Sequence, residues 1–229
     1  DALNDDASFP EGATCCKDGF VYTDVNTVIN AHVAQAHLRL ADMARWLNRS
    51  ATEADGYATK AAGIVRGLKK KLFIGGGGAG TGAAAVACDP PAPACYADGL
   101  NTATGLRVDH TSVQASLFMA GCGLLPPAEA LQLLPFLKAK TATMPLFSAM
   151  ASSFMLEGLY LMAAAEVHGS SEAADFAFDL LSRDGHRSWM EMIAHNATMA
   201  IEHWYGTGIE SHSWCVATHL PAAATWCAI

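Results

Sequence analysis

The chain has little charge for its length. Of 229 residues only 16% are charged, and acidic side chains outnumber basic ones by 22 to 14, for a formal net charge of -8. A nucleic-acid groove needs a basic face, and the one basic cluster, Arg66 to Lys71, reads as the solvated end of a helix. Also missing is any run of about twenty apolar residues free of charge or breaker, which a membrane-spanning helix requires. The opening Asp1-Ala-Leu-Asn-Asp-Asp6 has neither a basic n-region nor an apolar h-region, so a leader has been removed or the chain is an internal piece. Metal-ligand spacing is lacking too: His32 and His37 stand five apart, His195 and His203 eight apart, and neither pair fits the i, i+4 pattern of a helical zinc site. No metal or other cofactor is expected. Gly75-Gly-Gly-Gly-Ala-Gly-Thr81 lacks the Lys-Ser/Thr ending of a phosphate loop and follows a basic helix rather than a strand. The absence of a fixed-period repeat disfavours a solenoid.

What is present is an apolar, alanine-rich chain, 52% hydrophobic, with helical rather than alternating periodicity. Residues 1–24 read as an Asp-rich loop. Val25 to Leu47 and Glu53 to Phe73 form an α-hairpin, the second helix capped by Ser50 or Thr52. Residues 74–106, rich in Gly, Ala and Pro, read as a flexible insertion. Further helices are expected at about 110–121, 126–139, 147–168, 171–183, 187–202 and 214–227, joined by mostly short connections and without convincing strands. Paired helices that are apolar on more than one face stack as an array or close into a ring. The fold class is therefore all-α, with residues 1–229 belonging to one domain.

Seven cysteines and two sequons, Asn48-Arg-Ser50 and Asn196-Ala-Thr198, point to a secretory pathway. Cys88 and Cys95 bracket a stiff Asp-Pro-Pro-Ala-Pro-Ala loop that a disulfide can tie, and Cys215 with Cys227 can hold the last segment. Cys122 reads as a small buried hydrophobe. Asn48, in the loop after a helix, is the preferred glycan acceptor, because Asn196 lies close to the candidate site.

That site is signalled by Asn196-Ala-Thr-Met-Ala-Ile-Glu202-His-Trp204 followed by Ser211-His212-Ser-Trp214, which gathers a carboxylate, an imidazole and two indoles. An acid inside an Ala/Met/Ile run has little reason to be there unless it is used. Inverting glycoside hydrolysis needs two carboxyl groups about 6.5–9.5 Å apart, one to protonate the leaving oxygen and one to activate water. Glu202 suits the second role. His212 can orient the water or a sugar hydroxyl, and Trp204, Trp214 and Trp189 can offer flat apolar faces to a pyranose ring. Ordinary helix packing is the competing explanation for each Trp.

Several ordered segments resemble the α-L-rhamnosidases, inverting glycoside hydrolases with an (α/α)6 six-hairpin catalytic domain. Lys17-Asp-Gly-Phe-Val-Tyr-Thr-Asp-Val-Asn-Thr-Val-Ile-Asn30 is similar to the family's lead-in to a central helix. Ala97-Asp-Gly99 with Asp109-His-Thr-Ser112 resembles its D-G…x-H-S-S segment, and Phe154-Met-Leu-Glu-Gly-Leu159 its Y-L-L-E-A-L helix. Asp184-Gly-His-Arg-Ser-Trp189-Met-Glu-Met-Ile is similar to D-G-x-R-S-W-x-x-M-I. The closing segments fall where the family has A-T-T-x-W-E-x-W and N-H-x-W-G. The resemblance implies Glu202 as general base and His212 as the histidine lining the sugar subsite. It further implies Trp204, Trp189, Trp214, His110 and Asp109 as substrate-binding residues.

There are departures. Ile201 stands where a tryptophan usually precedes the base, Gln114-Ala-Ser116 where the family has H-A-N, and Cys215 in place of a glycine. The family's acid motif, D-x-x-Q-R-D-E, does not occur. The expectation is thus the C-terminal part of the ring, with the general acid and the first hairpins supplied by an N-terminal polypeptide. The implied activity is release of terminal α-L-rhamnosyl or related deoxy-sugar residues from a carbohydrate, in a secreted protein with no nucleic-acid partner. Two alternatives stand beside it: a lyase cleaving rhamnosyl-glucuronate linkages, disfavoured by the scarcity of Arg and Lys near the site, and a non-catalytic carbohydrate-binding or structural extracellular protein.

Overall fold

The computed structural model describes residues 20–21, 23–75, 86–143, 149–166, 171–184 and 188–194. Helices account for most of these, and the first pair shows how the sequence builds them. Asn26 opens α1 (Thr27–Trp46) by accepting from the Ile29 N–H, and Ser50 opens α2 (Ala51–Leu72) by accepting from Glu53, so each satisfies one orphan amide of a helix start. Between them Asn48 takes a left-handed conformation, φ 51°. The Arg49 N–H bonds Ala44 O at 2.8 Å and the Asn48 N–H bonds Arg45 O at 3.1 Å, the paired bonds that close a helix C-terminus before a reversal. The buried faces are lined by Ala31, Ala34, Ala41 and Ala44 on α1 and by Ala54, Ala61, Leu68 and Leu72 on α2. Small side chains on both let the hairpin close tightly.

The remaining helices follow α3 (Val113–Gly121), every residue of which is buried. They are α4 (Pro127–Leu131), α5 (Leu134–Thr143), α6 (Ala149–Ala163), α7 (Glu172–Ser182) and α8 (Trp189–Ala194). Leu117 and Met119 of α3, Phe136 and Leu137 of α5, and Met155, Leu159 and Met162 of α6 are at most 1% exposed and form the centre of the core. Side chains of this size each contribute about 1.5–3 kcal/mol on full burial.

Two expectations are corrected. The single helix at 126–139 is broken into α4 and α5 because Pro135, the second residue of α5, has no N–H to bond the carbonyl one turn back. Residues 74–106 are not simply a flexible insertion. Strand β2 (Phe73–Gly75) pairs antiparallel with β3 (Ala94–Tyr96), and β1 (Val25–Asn26) with β4 (Gly99–Leu100). Cys88 and Cys95 are joined by a disulfide, Cα–Cα 5.9 Å. Cys95, Tyr96, Ala97 and Asp98 are at most 1% exposed, and Lys140 Nζ donates to Asp89 O at 2.7 Å. Four strands of two or three residues thus replace the expected absence of strands. Residues 76–85 lie outside the described residues, as do the helix near 214–227 and most of that at 187–202.

Among the described residues no helix is long and apolar enough to cross a membrane, and no group of His, Cys, Asp and Glu is arranged to hold a metal ion.

Candidate functional site

Asp98 organises the best-defined polar centre. Its side chain is 0% exposed, yet every accepting position in use is matched by a donor: Oδ1 takes the Ser112 N–H at 2.8 Å, and Oδ2 takes the Val21 N–H at 2.7 Å and meets His110 Nδ1 at 2.6 Å. A carboxylate can be buried at tolerable cost only when paired in this way. The backbone of the same residue completes the centre, since Asp98 O accepts from Thr27 N at 2.8 Å and Asp98 N donates to His110 O at 3.1 Å. Thr27 Oγ1 donates to Ala97 O at 2.6 Å.

These bonds tie the starts of two helices together. Thr27 is the first residue of α1 and Ser112 the N-cap of α3. Farther along, the His32 ring of α1 packs at a tilt against Phe118 of α3, ring centroids 4.7 Å apart. Contacts at residues 27 and 32 of one helix with the surroundings of residues 112 and 118 of the other mean that α1 and α3 run side by side in the same direction. Their N-terminal ends, each with a partial positive charge, converge on Asp98. Gly99 is obligatory next to it: a Cβ there would lie 2.0 Å from Thr23 Oγ1 and 2.1 Å from Val25 O. The Asp-Gly pair thus combines a buried anion with a point of closest backbone approach between β1 and β4.

His110 is held by Asp98 with its side chain 36% exposed, and Asp109 beside it is exposed. Asn26, only 7% exposed, pairs with Gly99 across the strands; its Oδ1 caps α1 while Nδ2 is buried without an acceptor. Trp189, the first residue of α8, is half-buried and packs on the main core, so part of its surface does structural work. Glu202, His212, Trp204, Trp214 and Asn196 lie outside the described residues. Asn48 is exposed in the turn between α1 and α2.

Sequence reading passed over two acids that the structure brings forward. Asp98 appeared only as part of a quoted motif, and its burial was invisible because an Asp-Gly pair ordinarily marks a solvated turn. Glu157, in the middle of the apolar helix α6, is half-buried, and burial raises its carboxyl above the ordinary range while nearby Arg39 partly offsets this. The apolar context of Phe154-Met-Leu-Glu157-Gly-Leu159 was the available signal. Burial, reinforced by Glu157 and opposed by Arg39, pushes the Cys122 thiol up to about 12, so this cysteine is an inert core residue. His32, packed between Phe118 and Phe154, is held below its ordinary value by burial. A surface cavity lined by Lys69, Phe73, Tyr96, Leu125, Glu129 and Gln132 shares no residue with the Asp98 centre, and the Lys69–Glu129 ion pair belongs to its wall.

The family comparison decides what this arrangement belongs to. Residues 9–227 match the model of the bacterial alpha-L-rhamnosidase 6 hairpin glycosidase domain. The chain belongs to that family. The rhamnosidase match covers the resembling segments from the lead-in to α1 through Ser211-His212-Ser-Trp214, and with the helical hairpins described above it makes the chain an all-α, six-hairpin glycosidase domain. No individual curated protein and no solved structure matches the rhamnosidase-family chain significantly.

Proposed function

We propose that this domain hydrolyses terminal α-L-rhamnosyl, or closely related deoxy-sugar, glycosides with inversion at the anomeric carbon. The observation that carries the reading is the family match across residues 9–227, which includes the carboxylate, imidazole and indoles of residues 202–214. In this reading Glu202 is the general base that draws a proton from the attacking water. The water's oxygen attacks the anomeric carbon while a second carboxyl group, outside this chain, protonates the departing oxygen. His212 orients the water or a ring hydroxyl. Trp204, Trp189 and Trp214 present flat apolar faces to the sugar, and His110 and Asp109 reach its hydroxyls. The Cys88–Cys95 disulfide supports a secretory, oxidising destination, where Asn48 is the glycan acceptor.

Glu202→Gln tests the assignment, because it keeps the shape of the side chain and removes its basicity. In the full-length protein, turnover of an aryl α-L-rhamnoside is expected to fall about 10²–10⁴-fold, with rhamnose binding retained. Full activity in the variant refutes Glu202 as the base. An unsubstituted protein that binds the sugar without turning it over is a carbohydrate-binding protein instead.

A further inference from the structure

We propose that Asp98 is a positioning residue. It holds His110 in the Nδ1–H tautomer and so presents Nε2 as a hydrogen-bond acceptor for a hydroxyl of the bound sugar, a role that rests on the glycosidase reading above. An ionised carboxylate has only accepting positions, so the ring nitrogen 2.6 Å from Asp98 Oδ2 must carry the proton. In a neutral imidazole the lone pair is then on Nε2. The carboxylate cannot swing to follow the ring, because Oδ1 is bound to Ser112 at the start of α3 and Oδ2 also takes the Val21 N–H. The backbone adds two restraints, from Asp98 O to Thr27 at the start of α1 and from Asp98 N to His110 O. The imidazole is thereby referred to two parallel helices, which is the rigid support a binding group needs.

One observation points outward from this centre to a ligand. The His110 side chain is 36% exposed, and its Nε2 has no protein partner among the described residues. An accepting nitrogen at one end of the α1–α3 pair suits a sugar hydroxyl, which can donate to it.

The experiment combines imidazole ¹⁵N NMR of the full chain with titration of L-rhamnose against the native protein, His110→Asn and Asp98→Asn. His110→Asn leaves an N–H for Asp98 but deletes the outward nitrogen. Asp98→Asn leaves one accepting oxygen for the Ser112 N–H, the Val21 N–H and the ring, and sets an NH2 group against a backbone donor in either orientation, so the hold on the ring's Nδ1–H is weakened. The native protein is expected to show the Nδ1–H tautomer, and Asp98→Asn a larger share of the Nε2–H form. Rhamnose affinity should fall about three- to tenfold in both variants, with the thermal midpoint of His110→Asn close to native. An Nε2–H ring in the native protein, or unchanged affinity in a folded His110→Asn, overturns the proposal. If Asp98→Asn does not fold, the native tautomer and His110→Asn still decide. Unchanged affinity in His110→Asn together with collapse of turnover in Glu202→Gln overturns this proposal alone, whereas a native protein that neither binds nor turns over rhamnosides overturns both readings.

Discussion

Gly121 at the end of α3 faces the backbone of Phe154 in α6 so closely that a Cβ on it would lie 2.3 Å from the Phe154 carbonyl oxygen. Gly158, one turn later on α6, meets Ala120 and Gly121 in the same crossing. The two most apolar helices of the core are therefore in contact through backbone, and their spacing is set by the absence of side chains.

Gly121→Ala is expected to destabilise the protein by about 1–3 kcal/mol, since the obstructing atom is backbone and cannot rotate away. Gly63→Ala, in mid-α2 with nothing within 4 Å of the added carbon, should instead stabilise by about 0.4–1 kcal/mol. Urea denaturation of both variants checks the contrast; equal effects would mean that α3 and α6 do not cross at Gly121.

Replacing Cys88 and Cys95 by Ala should cost about 2–3 kcal/mol, the loop-closure contribution for a short bridged segment. The β2–β3 pair and buried Tyr96 are the elements that loosen. Intact mass before and after reduction and deglycosylation counts bridges and glycans, and peptide mapping of the same samples assigns them to Cys88–Cys95 and to Asn48. Masses unchanged by both treatments would place it in a reducing compartment.

His32 and Glu157 give opposite pH signatures. Burial lowers the folded-state value of His32 below 6.5, so between the two values the unfolded chain binds more protons, and stability falls as pH drops through 6.5. Burial raises the folded-state value of Glu157 above 4.5. There the folded chain binds more protons, so stability falls as pH rises from 4.5 through the raised value. Glu157→Gln should accordingly stabilise at neutral pH, with the gain vanishing below pH 4.5, while His32→Phe should flatten the acid side. Thermal midpoints across pH 4 to 8 test both, and a Glu157→Gln variant no more stable than native at pH 7 contradicts the burial of that acid.

The helical fold could be read from the sequence because it depends on local rules. Ser50 is a capping residue placed before an apolar-periodic stretch, and it accepts a helix N–H in the structure, as Asn26, Ser112 and Ser171 also do. The Glu202 to Trp214 cluster is conspicuous in the sequence as an acid in an apolar run beside indoles, and it lies outside the described residues. Pro135 shows where the rule was available but outweighed: the apolar pattern ran through it, and the missing N–H still divided the helix.

What the chain alone determined, then, is composition-level and local: an all-α rhamnosidase-type domain, its helix starts, and the residue types from which a sugar site can be made. Only the tertiary structure decided that Asp98 is wholly buried, that the backbone N–H groups of residues 21 and 112 and the ring Nδ1 of residue 110 converge on it, and that Gly121 and Gly99 are close approaches rather than turns. The physical reason is that burial and hydrogen-bond satisfaction depend on partners distant along the chain. Asp98 and Val21 are separated by 77 positions, and no local pattern records that the one will supply the donor that the other requires.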